Sequence, residues 1–120
     1  MTAAPQKLEK IDQTLAALAD PSRRGVIDLL RKRPRRAGEL AKALDLSAPA
    51  MSRHLRVLRA AGLVEEGDSD APDDNRVRVY QLRRQPFASL RAWTEEVEQF
   101  WGVQLESFAA HVEKRGRERK

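Results

Sequence analysis

Two runs with helical apolar spacing, AGELAKAL (residues 37–44) and the segment that opens at Ser47, are separated by only about three residues, Asp45 to Ser47. So short a link forces the two helices to meet at a tight corner. Leu40, Ala41 and Leu44 form the buried side of the first helix. Ser47 stands at the cap position of the second, Pro49 lies in its first turn, and Gly62 ends it. On a wheel of 100° per residue with Met51 at zero, Leu55 and Leu58 fall within about 40° of it. The opposite face carries Pro49, Arg53, Arg56 and Ala60, with Ser52 at the shoulder. His54 sits about 60° from the stripe, at its boundary.

The rest of the chain builds outward from this corner. Leu8, Ile11, Leu15 and Leu18 predict a first amphipathic helix over 8–19. Asp20-Pro21 is a start signal for a second helix with Val26, Ile27 and Leu30 inside, closed by Pro34. After Gly62, the β-prone pieces Leu63–Glu66 and Val77–Leu82 flank the polar turn-forming segment GDSDAPDDN. In the second piece Val77, Val79 and Gln81 share one face, and Arg78, Tyr80 and Leu82 the other. A long helix over 86–114 follows, with the stripe Phe87, Leu90, Trp93, Val97, Phe100, Trp101, Leu105, Phe108 and Val112. The expected class is mainly α with a small β-hairpin, in the order α-α-α-α-β-β-α. That is a winged helix-turn-helix. Residues 8–114 are expected to form one DNA-binding and dimerisation domain, with flexible tails at 1–7 and 115–120.

Charge placement narrows the function. The net charge of 120 residues is +5. Residues 21–60 hold eleven basic and three acidic residues, an excess of eight, whereas residues 1–20, 61–85 and 86–120 sum to −1, −2 and 0. A basic block of this kind is the electrostatic footprint of a nucleic-acid binder. With no cysteine, disulfides, thiol redox sensing and thiolate metal sites are excluded. No apolar run reaches the length of a membrane span and no signal-peptide pattern is present, so a cytoplasmic chain is expected. Aromatics at 5% favour a helical core of Leu, Ala and Val over a β sandwich.

On a recognition helix the exposed N-terminal residues meet base edges. Here these are Ala48, Pro49, Ser52 and Arg53, beside the cap Ser47. Arg53 has the fork that reads guanine O6 and N7, and Ser52 can bond a base or a phosphate. Ala48 and Pro49 offer apolar surface to a thymine methyl. Arg56 and Arg59 are phosphate contacts, His54 packs at the helix edge or touches phosphate, and Arg76 and Arg78 serve from the wing. No nucleophile–base–orienter set, carboxylate pair or Gly-rich phosphate loop can be assembled, so an enzyme is not expected.

At this point the chain resembles the ArsR-type (ArsR/SmtB) family of bacterial winged-helix repressors. The residues that carry the likeness are LADPSRRGVIDLL (Leu18 to Leu30), ELAKALDLSAPAMSRHLRVLRAAGLV (Glu39 to Val64) and RVRVYQL (Arg76 to Leu82), within roughly residues 8–112. The resemblance implies a homodimer formed by the first and last helices, bound to an imperfect inverted repeat of double-stranded DNA on the bacterial nucleoid and blocking transcription. It also implies that Ala48, Pro49, Ser52 and Arg53 face DNA. One departure is the acidic wing segment, where Asp68, Asp70, Asp73 and Asp74 stand in place of basic or glycine residues. Phosphates repel such a tip, which leaves wing contacts to Arg76 and Arg78.

Many members of that family release DNA on binding metal. The third helix here, ELAKALDL, has no cysteine ligand, and the carboxyl-terminal pattern registers on Glu98, Phe100, His111 and Lys114. Only two of these four can ligate, too few for a divalent site. The expectation is therefore a non-metal-sensing member with no cofactor and no assigned effector. The alternatives are a metal-responsive repressor of the same family and a winged-helix protein–protein module without specific DNA binding.

Dimer contacts are assigned to Leu8, Ile11 and Leu15 of the first helix and Trp93, Val97, Phe100, Trp101, Leu105 and Phe108 of the last. A long helix with these aromatics has more apolar surface than one small domain can cover. Packing on the chain's own first helix remains the other outlet.

Overall fold

The corner that the spacing demands is closed by one residue in an unusual backbone state. In the computed structural model, which describes residues 6–68 and 78–118, helices α3 (Ala37–Ala43) and α4 (Ala48–Ala60) are joined through Asp45 at φ 53°. Asp45 and Leu46 donate their N–H groups back to the carbonyls of Lys42 and Ala41, at 3.3 and 2.9 Å. This double closure needs a left-handed residue after the helix end, and aspartate is among the few non-glycine residues that tolerate it. Ser47 Oγ then accepts from Ala50 N–H at 3.2 Å and starts α4.

The other elements are α1 (Gln6–Leu18), α2 (Pro21–Leu30), β1 (Val64–Asp68), β2 (Arg78–Leu82) and α5 (Arg84–Glu118). The order is the expected one, with ends shifted by a few residues. α5 begins two residues before Pro86, which occupies the third helical position, where the N–H has no intrahelical partner to lose. The same helix runs to Glu118, four residues beyond the end expected. β1 and β2 pair antiparallel in the register Val64↔Leu82 to Asp68↔Arg78, with Glu66 opposite Tyr80. Val77, expected in the second strand, lies outside the described residues.

Two compact units make up the chain, Met1–Phe87 and Ala88–Lys120. The first holds a core of Ala17, Val26, Leu30, Leu40, Met51, Leu55, Leu58, Leu63 and Val64, with Tyr80, Leu82 and Phe87 packed against it. The Tyr80–Leu82 face of β2 is therefore the inner one. Gly25 permits the approach of α2 to the end of α3, since a Cβ there would fall 2.9 Å from Leu44 Cδ2.

α1 departs from the stripe read in the sequence. Its buried face is Ile11, Thr14 and Ala17, while Leu15 is 42% exposed. Thr14 can be buried because its hydroxyl donates to the Lys10 carbonyl one turn back, at 3.0 Å. The α1–α2 corner is fixed by three side chains of the ADPSRR segment. Asp20 Oδ1 accepts from the N–H groups of Ser22 and Arg23 (2.8 and 3.1 Å), and the Arg23 bond is the main cause that holds its carboxyl below the usual carboxylate range. Arg23 Nε donates to the Ala17 carbonyl at 2.6 Å, and Arg24 Nη1 to those of Leu18 and Ala19 at 2.8 and 3.1 Å. These are the carbonyls that the end of α1 leaves without helical partners, and cations suit that end of a helix dipole.

At the far end of α4, Gly62 takes φ 76° while its own N–H and that of Leu63 return to the Arg59 and Leu58 carbonyls, at 2.9 and 3.0 Å. Gly62→Ala is expected to destabilise the fold by about 1–2 kcal/mol, the cost of a left-handed residue with a Cβ. Urea denaturation reads this as a lower midpoint at unchanged slope; an unshifted midpoint would mean that the helix end re-forms another way.

Candidate nucleic-acid interface

α4 is anchored by Met51, Leu55 and Leu58, all buried, and this fixes which of its side chains face solvent. Ser47, Ala48, Pro49, Ser52, Arg53 and Arg56 are exposed together along one side, and His54 is half-buried at the margin. The apolar periodicity alone sets this arrangement.

The arginines of the basic block divide into two groups. Six of its eleven basic residues are engaged within the molecule: Arg23 and Arg24 at the end of α1, Arg35 on the Leu29 carbonyl (3.3 Å), Arg31 with Asp28 (3.6 Å), Arg33 with Glu39 (3.2 Å) and Arg59 with Glu66 (2.9 Å). Glu39 also accepts from the Arg36 N–H, and that bond first, then Arg33, holds its carboxyl below the usual range. Arg53 and Arg56 make no ion pair or side-chain hydrogen bond with any described residue. They are the cations that α4 presents uncompensated.

His54 is drawn inward. Its Nδ1 lies 3.5 Å from Arg23 Nη1, and Arg23 in turn stands 4.0 Å from Asp20. The histidine thus joins α4 to the α1–α2 corner, and no group of His, Asp and Glu able to hold a metal occurs among the described residues.

The hairpin is hung on the body by its backbone. Arg35 N–H donates to the Tyr80 carbonyl at 3.1 Å, and Tyr80 N–H to the Arg35 carbonyl at 2.7 Å. Arg78 is exposed on β2, whereas Arg76 lies outside the described residues, as do Asp70, Asp73 and Asp74. Sequence reasoning assigned nothing to Glu66 or Tyr80. The structure brings them together: Tyr80 Oη donates to Glu66 Oε1 at 3.0 Å, beside Arg59 on the same oxygen, and Arg78 Nη1 stands 3.7 Å from Oε2. Burial first, then the Glu66 carboxylate, push the Tyr80 hydroxyl up from its ordinary value. Only strand register could have signalled this pair, because the residues are fourteen apart.

The second assigned surface is split by exposure. Val97, Phe100, Trp101, Leu105 and Phe108 of α5 are exposed, and Trp93 is half-buried. In α1, Leu15 is exposed, Ile11 is buried and so has little area to give a partner, and the Leu8 side chain is outside the described set.

A capped helix with free arginines beside a two-stranded hairpin has known counterparts. The signature described as "Bacterial regulatory protein, arsR family" matches residues 20–66. A crystal structure of an ArsR family transcriptional regulator is 31% identical, with a TM-score of 0.66 over 85% of this chain and 97% of that one. The chain belongs to the ArsR family. A curated relative, the HTH-type transcriptional regulator Rv2034 of Mycobacterium tuberculosis, is 39% identical over 105 residues, 88% of this chain and 91% of that protein. At 24% identity and TM-score 0.58, over 82% of this chain and 91% of that one, the fold matches Mb0332 of Mycobacterium bovis. That structure is described as a homodimeric winged helix-turn-helix DNA-binding domain. The fold is thus the winged helix-turn-helix of ArsR proteins, with α3–α4 as the motif and β1–β2 as the wing. These ArsR relatives are transcriptional regulators, not enzymes. Among the described residues no helix is long and apolar enough to cross a membrane.

Proposed function

We propose that this ArsR protein is a sequence-specific DNA-binding repressor that acts on the nucleoid as a homodimer at an inverted-repeat operator. The observation that carries the reading is the solvent face of α4, where Ser47, Ala48, Pro49, Ser52, Arg53 and Arg56 lie together and both arginines are uncompensated. Set into the major groove, that face offers Arg53 and Ser52 to base edges, Ala48 and Pro49 to a thymine methyl, and Arg56 to phosphate. His54, tied to Arg23, lies at the rim. Arg76 and Arg78 reach the backbone from the wing. The exposed α5 row supplies a surface for a second copy, and a two-fold dimer on an inverted repeat calls for recognition helices about 34 Å apart.

Footprinting on the DNA upstream of the protein's own gene tests function, symmetry and target together, and a protected inverted repeat is the expected result. On that site Arg53→Ala is expected to cost about 1–3 kcal/mol and to relax selection at one base pair. Equal weakening on random DNA would make Arg53 a phosphate contact instead. Binding that does not fall with salt would support a protein–protein role for the winged domain.

A further inference from the structure

We propose that Glu66 is an affinity-setting residue of the DNA-binding surface: it withholds Arg59 from the phosphate backbone and so limits binding to DNA of any sequence. The inference rests on the reading of α4 as the DNA-binding helix. α4 carries three arginines, and two of them, Arg53 and Arg56, are uncompensated. The third, Arg59, lies 2.9 Å from Glu66 Oε1 and lines the same groove of about 700 Å³ as Arg56. Glu66 is well placed to keep it. Its side chain is 22% exposed, against 51% for Arg59, and the Tyr80 hydroxyl fixes the accepting oxygen at 3.0 Å. Tyr80 is itself bound to Arg35 through two main-chain hydrogen bonds. The carboxylate therefore sits on a braced strand, and the arginine comes to it. Arg78, at 3.7 Å and 78% exposed, is only loosely drawn and stays available to phosphate.

The energetic consequence follows from the nature of phosphate contacts. A lysine or arginine that neutralises a phosphate releases condensed counterions and strengthens binding to every sequence alike. An arginine already paired with a carboxylate gains less, because its charge is already partly compensated and that surface pair must be broken first. Glu66 thus lowers affinity for every sequence alike and leaves the base-reading end of α4 untouched. The ratio of specific to non-specific binding is left as it was, and what Glu66 sets is the absolute affinity and its dependence on salt.

The test is a salt titration of binding to a random-sequence duplex and to the footprinted site. Glu66→Gln keeps an acceptor for Tyr80 and removes the charge. It is expected to steepen the slope of log K against log salt by about one on random DNA, the contribution of one added phosphate contact. Random-DNA affinity should rise about three- to tenfold near 0.1 M salt, with a gain of the same size on the specific site. Removing the released cation as well, in Arg59→Gln/Glu66→Gln, should restore the original slope. Arg59→Gln alone should leave the slope of the parent unchanged, whereas Arg56→Gln flattens it by about one; this pair of single variants decides the matter even if Glu66→Gln does not fold. An unchanged slope for a folded Glu66→Gln, or equal flattening by Arg59→Gln and Arg56→Gln, would overturn the role of Glu66 and leave DNA binding intact. A parent protein with no salt-dependent affinity for DNA would instead remove the reading on which the role rests.

Discussion

Leu58→Ala is expected to cost about 2–5 kcal/mol of folding free energy, the largest stability loss we anticipate for a single substitution in this chain. Leu58 is fully buried and stands where α4 packs against the rest of the core cluster. Its carbonyl also accepts the Leu63 N–H that closes the helix end, so the surrounding backbone is held on two sides and cannot collapse around a void. A small domain has only about 5–15 kcal/mol in total, so the variant would sit near the edge of stability. Denaturant unfolding reads the effect directly. A loss under about 1 kcal/mol would mean that neighbouring side chains refill the space, and that the anchor of α4 is softer than its burial implies.

The second large effect concerns association. Phe100→Asp on α5 is expected to shift the protein from dimer to monomer at micromolar concentration, with loss of operator binding in parallel. Phe100 is 64% exposed in the single chain, so folding of the monomer should change by no more than about 0.5 kcal/mol. In a two-fold interface each substitution counts twice, and removing two buried phenylalanines costs about 3–6 kcal/mol of association. Sedimentation velocity paired with thermal unfolding separates the two quantities. A parent that sediments as a monomer, or a variant that stays dimeric, would take the α5 row out of the proposed interface.

The corner at Asp45–Ser47, the caps at Asp20 and Ser47, and the stop at Gly62 were all legible because each depends on residues within one turn of the chain. The stripe of α4 was legible for the same reason. Elsewhere the reading failed where a side chain answers to something distant in sequence. The α1 stripe put Leu15 inside, but the buried place goes to Thr14, whose hydroxyl is satisfied by a hydrogen bond within its own helix. The charge count treated the whole basic block as one footprint, yet Arg23 and Arg24 are spent on the last carbonyls of α1. Charge counting cannot see this, because a guanidinium facing a phosphate and one facing a carbonyl are the same letter in the sequence. Glu66 was invisible for a related reason: its partners come from α4 and β2, and only the strand register places them around one carboxylate.

The main-chain bridge between Arg35 and Tyr80 has a consequence for how such a protein can change over generations. Two hydrogen bonds that use only backbone atoms are indifferent to side-chain identity, so the base of the wing keeps its position through almost any exchange at either residue. Proline alone, which lacks the N–H, would cut one of them. Hanging the wing this way separates where it sits from what charge it carries. The residues from the end of β1 to the start of β2 can then carry any charge, here the four carboxylates of Asp68, Asp70, Asp73 and Asp74, without re-engineering the frame that holds the hairpin.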